Sequence, residues 1–85
     1  MTTETTGRTA EQEERIRKAK ARLAAAELRI RACQQDDQAA GYSRQMQHPA
    51  YPDQAMVCAG KAAEAQAFAA RTRAQADLIE AEAGL

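Results

Sequence analysis

The chain has 85 residues, with 12 basic and 12 acidic side chains and no formal net charge. Its hydrophobic fraction of 45% is mostly alanine, 22 residues in all, whereas Ile, Leu, Val and Phe together number only 9. That excludes an ordinary globular core and more than one domain. With no tryptophan and one phenylalanine there is too little aromatic and β-branched material for a sheet. Alanine, glutamine, glutamate and arginine all favour helix. Scarce large apolar residues often mark disorder, but the disordered class also carries high net charge, which is lacking. The expected fold is all-α.

Residues 1–8 are polar and are expected to form a disordered tail, with no signal peptide. Thr9 followed by Gln12 has the form of a capping box, and Glu11, Glu13 and Glu14 place negative charge at the positive end of a helix dipole. A first helix over about 9–40 follows, ended by Gly41 in a left-handed conformation. The Asp36-Asp37 pair opposes the dipole at that end and is expected to fray it. A loop over about 41–52 contains Tyr42, Met46, His48 and Tyr51. Pro52 suits the first position of a second helix over about 53–83. Two helices of similar length joined by a short loop form an antiparallel two-helix hairpin, so residues 9–85 make one helical domain.

The apolar spacing predicts alanine-rich coiled-coil packing. Ile16, Ala19, Leu23, Ala26, Ile30 and Cys33 recur at three and four residues and predict the seam against the second helix. A second stripe, Ala21, Ala25, Leu28 and Ala32, lies about 160° around the same helix. In the second helix Val57, Phe68 and Ile79 recur every eleven residues among small side chains, and Phe68 is expected to anchor the core. Aligning Cys33 with Cys58 sets Leu23 opposite Phe68. A hairpin covers only one stripe of its first helix, so self-association into a dimeric four-helix bundle, or a higher homo-oligomer, is expected.

Basic charge is concentrated between residues 15 and 31, where Arg15, Lys18, Arg22 and Arg29 form a stripe suited to anions. No aromatic residue interleaves it, and the acidic open end of the hairpin is a competing partner for it. The two cysteines lack metal-site spacing and His48 is the only histidine, so neither metal nor cofactor is expected. The thiols suit a tight seam, and a disulfide is unexpected in the cytoplasm. No nucleophile–base arrangement or phosphate loop is present, so the chain is not expected to be an enzyme. No run of about 18 apolar residues exists, and no membrane contact is expected. A cytoplasmic protein is the default expectation, and the excess of alanine and arginine fits a bacterial or phage genome.

The expected function is a non-enzymatic helical interaction protein, an adaptor, co-chaperone or inhibitor acting by protein–protein binding. Tyr42, Met46, His48 and Tyr51 are its candidate partner-binding residues, since tyrosine and methionine suit adaptable contact surfaces. The alternative is a regulator or accessory factor that binds nucleic acid or a small anionic ligand through Arg15, Lys18, Arg22 and Arg29.

Overall fold

The computed structural model describes residues 9–47 and 52–85. Two helices, α1 (Ala10–Gln47) and α2 (Pro52–Glu82), account for almost all of them, and they pack along their lengths as an all-α hairpin. Arg17 meets Ala83, Arg29 meets Asp77 and Glu80, Gln35 meets Thr72, and Gln45 meets Cys58, so the helices run antiparallel. The expected tail over residues 1–8 lies outside the described residues.

Both ends of the helical region are built as local chemistry dictates. The Thr9 amide donates to Gln12 Oε1 at 2.9 Å, and the Gln12 amide donates to Thr9 Oγ1 at 3.2 Å, which is the reciprocal capping box. At the other end Gly84 takes φ +78°. Its amide donates to the Ala81 carbonyl at 3.1 Å, and the Leu85 amide donates to the Glu80 carbonyl at 2.9 Å. This pair of bonds is a Schellman motif, and it needs a left-handed residue at the glycine position.

The left-handed stop therefore belongs to Gly84, whereas Gly41 lies inside α1, which continues to Gln47. A mid-helix glycine costs only about 1 kcal/mol relative to alanine, and the flanking Gln38, Ala39, Ala40, Arg44, Gln45 and Met46 include strong helix formers. Tyr42, beside Lys61, and Gln45, bonded to Cys58, continue the packing against α2 and hold the added turns in place. Nor does Asp36-Asp37 fray the helix, because Arg73 of α2 donates to the Asp36 carboxylate.

The seam between the helices is made of small side chains. Ala25, Ala32 and Ala39 of α1 are buried at intervals of seven. From α2 come Cys58, Ala62, Ala65, Ala69, Thr72, Ala76 and Ala83, and among the described residues no large side chain is fully buried. Small residues at every layer let two helices approach near the lower end of the usual separation, about 8 Å. The product is a rod measuring 72 × 19 × 14 Å. Its radius of gyration is 20.4 Å, against about 12 Å for a compact domain of this length.

The expected seam is thereby corrected. Its large residues are displayed, with Leu23 61% and Ile30 60% exposed, while the second stripe is the one that packs on α2. Cys58 stands across from Gln45, whose Oε1 accepts from the thiol at 3.4 Å. That is twelve residues, about 18 Å, along α1 from exposed Cys33. Phe68 is 51% exposed and does not anchor the core. The physical reason is steric: against α2, Ile16, Leu23 and Ile30 would hold the two helices of the hairpin further apart at each large residue. The all-small stripe admits close contact over its whole length.

Candidate functional site

Ion pairs fix the hairpin's open half and consume much of the basic stripe. Arg29 Nη2 donates to Asp77 Oδ1 at 2.9 Å and also to Glu80 Oε1, bridging two acidic side chains one turn apart on α2. The Glu80 carboxyl is held below its ordinary range, first by that hydrogen bond and then, against some desolvation, by the charges of Arg29 and Arg22. Arg29 is in turn raised, its hydrogen bonds to Glu80 and Asp77 being the main cause. Arg15 is paired with Glu11 one turn earlier. Arg17 contacts Glu14, which lowers the Glu14 carboxyl, and donates to the Ala83 carbonyl at 3.1 Å, so it ties the start of α1 to the end of α2.

Of the four candidate anion-binding residues, then, Arg15 and Arg29 are engaged with carboxylates and Lys18 is half-buried. Arg22 is exposed and stands near enough to Glu80 to lower its carboxyl. The four remain on one side of α1, but their field is largely answered from within the chain.

A different surface lies toward the connection between the helices. Half-buried Tyr42 projects from α1 beside α2, and the Lys61 ammonium sits 5.7 Å from its ring centre, a cation–π distance. Gln38, Tyr42, Lys61, Glu64, Ala65 and Phe68 line a shallow, open hollow that straddles both helices. Phe68 forms its far wall, with the Arg71 guanidinium 4.6 Å from the ring centre. Val57, 55% exposed, is eleven residues before Phe68 and within about 20° of it around α2, so it extends the same apolar border. Half-buried Met46 lies one turn beyond Tyr42 on α1.

Of the four partner-binding candidates, Tyr42 and Met46 are thus helical, with Tyr42 beside α2, while His48 and Tyr51 lie outside the described residues. Phe68 and Lys61 join Tyr42 at this hollow without having been expected there. The signal was present in the eleven-residue spacing of Val57 and Phe68, which marks one shared helix face and leaves open whether that face is core or surface.

Among the described residues no group of three or more His, Cys, Asp or Glu side chains converges as a metal site, and no helix is long and apolar enough to cross a membrane. Cys33 and Cys58 are both free thiols. Comparison with family models, curated proteins and solved structures finds no match for the chain.

Proposed function

We propose that this is a non-enzymatic helical interaction protein, an adaptor, co-chaperone or inhibitor, that binds another protein through the hollow bordered by Tyr42, Met46, Val57 and Phe68. The observation that carries this reading is the inversion of the usual burial pattern. Alanine forms the core, while the few large apolar side chains stand on the surface, Phe68 and Val57 about half exposed. Large apolar side chains grouped on a rigid surface are characteristic of contact sites. Tyrosine beside a second aromatic ring, flanked by Lys61, Glu64 and Arg71, combines apolar anchors with a charged rim.

The anion-binding alternative draws less support, because Arg15 and Arg29 already face carboxylates of the same chain. The test is a pull-down with the immobilised chain from its native host, with bound proteins identified by mass spectrometry. Tyr42→Ala combined with Phe68→Ala should abolish capture of the specific partner, at roughly 2 kcal/mol for each aromatic anchor, while circular dichroism shows unchanged helicity. Retention of the partner by the double variant would overturn the reading. Capture that survives this variant but vanishes in high salt and on Arg22→Gln would support the anionic alternative instead.

A further inference from the structure

The hollow uses one border of the rod, and the stripe Ile16, Ala19, Leu23, Ala26, Ile30 and Cys33 is a separate surface. Its members lie about 100–180° around α1 from the alanine seam, with Leu23 and Ile30 about 60% exposed. Large and small residues alternate along it. A second copy of α1 running antiparallel answers that alternation completely. When Leu23 lies against Ala26 of the second copy, Ile30 falls against its Ala19 and Ile16 against its Cys33, and the two-fold axis repeats each pair. Every layer then joins one large residue to one small one, so the helices keep an even separation over residues 16–33, about 27 Å. A parallel pair would stack Ile on Ile and Leu on Leu, with Ala19 and Ala26 layers between them left unfilled.

The flanking charges favour the same register. Lys20 and Glu27, both exposed, sit at equivalent positions beside the stripe, and the antiparallel register sets each Lys20 against Glu27 of the other copy, twice by symmetry. On the other flank Arg15, paired with Glu11 of its own chain, meets Asp36 of the second copy, which Arg73 already holds, so this contact adds little. Arg22 meets Arg29, whose charge is already answered by Asp77 and Glu80. In the parallel arrangement Lys20 would instead meet Arg15 while Glu27 met Arg22, so one repulsive pair would offset the attractive one.

We infer that the outer stripe of α1 is a self-association surface that joins two copies antiparallel, Leu23 against Ala26, so that the two α1 helices lie inside and the two α2 helices outside. This differs from a compact four-helix bundle, because each α1 is sandwiched between its own α2 and the other α1, while both Tyr42–Phe68 hollows stay open. It is independent of the partner-binding reading.

Sedimentation of the natural chain at tens of micromolar should give twice the chain mass of 9.2 kDa. Leu23→Glu places a charge in the centre of the contact and should weaken dimerisation at least about a hundredfold, without touching the alanine seam. The register is read separately by oxidation, with Cys58→Ala as background. Ile16→Cys should convert the protein into a covalent dimer through the introduced thiol and Cys33 of the other copy, whereas Cys33 alone should not cross-link. A monomer at about 100 μM, or ready cross-linking through Cys33 alone as a parallel pair requires, overturns the inference. Because the oxidation variants keep Leu23, they decide the matter even where Leu23→Glu fails to fold. Undiminished dimerisation by a folded Leu23→Glu variant would refute this surface, and its retention of partner capture would show that the hollow stands apart from it.

Discussion

Replacing the glycines one at a time by alanine gives results of opposite sign that follow from their places in the structure. At Gly41 a Cβ would meet only the Arg44 Nη2 atom at 3.9 Å, an ordinary contact with the mobile end of a side chain. At Gly60 nothing lies within 4 Å. Both are interior helical positions, and among the described residues Gly84 alone has a positive φ. Alanine at either interior site gains helix propensity and restricts the unfolded chain, about 0.5–1 kcal/mol each. For a chain of this size that raises the melting temperature by roughly 2–8 °C. At Gly84, with φ +78°, alanine must enter the left-handed region at a cost of about 1–2 kcal/mol. Thermal melts of the three variants, followed by circular dichroism at one fixed protein concentration, should place Gly41→Ala and Gly60→Ala above the parent and Gly84→Ala below it. If Gly41→Ala instead melts lower, Gly41 is the left-handed terminator of α1, and the continuation of that helix to Gln47 is wrong.

Ala32→Leu forces a large side chain into a seam position with no exposed surface and should cost about 1–3 kcal/mol or more. Phe68→Ala, a nominally harsher truncation, should cost about 1 kcal/mol or less, because the ring is half exposed. Urea titrations of the two variants that reverse this order would place the core on the other stripe. Acid should weaken the open half of the hairpin first. The folded Glu80 and Glu14 carboxyls lie below the ordinary glutamate value of 4.5, so their stabilisation is complete above that pH and is lost as pH falls through the depressed values. Glu80→Gln should flatten this part of the stability profile below pH 4.5, and a profile identical to the parent's would contradict the Arg29 bridge.

The amino-acid composition made the helical hairpin legible, and Thr9 with Gln12 marked the start of α1 to within a residue. The choice between the two stripes of α1 was not legible, because hydrophobicity ranks Ile16, Leu23 and Ile30 above Ala25, Ala32 and Ala39. The packing is decided by how closely backbones can approach, and that favours the smallest residues. Once the stripe was misassigned, the register of the cysteines and the burial of Phe68 followed it into error. Gly41 misled for a related reason: glycine ends a helix only where the following residues gain nothing by continuing it, and Tyr42 and Gln45 gain contact with α2. The competing claim of the carboxylates on the basic stripe was visible in the acidic residues near both open ends, though the particular bridge from Arg29 to Asp77 and Glu80 required the register.

The alanine seam and its register are tested most directly by linking the helices at one layer. Gln35 Oε1 and Thr72 Oγ1 stand 3.1 Å apart across the seam. In the register that aligns the two cysteines, Gln35 would face residue 56, sixteen residues or about 24 Å from Thr72. Gln35→Cys with Thr72→Cys, in a chain whose Cys33 and Cys58 are replaced by alanine, can be treated with a short bifunctional thiol reagent and analysed by mass spectrometry. The structure predicts near-complete intramolecular linkage in a protein that keeps its helicity. Two thiols that each take up separate reagent molecules, with no internal link, would contradict it.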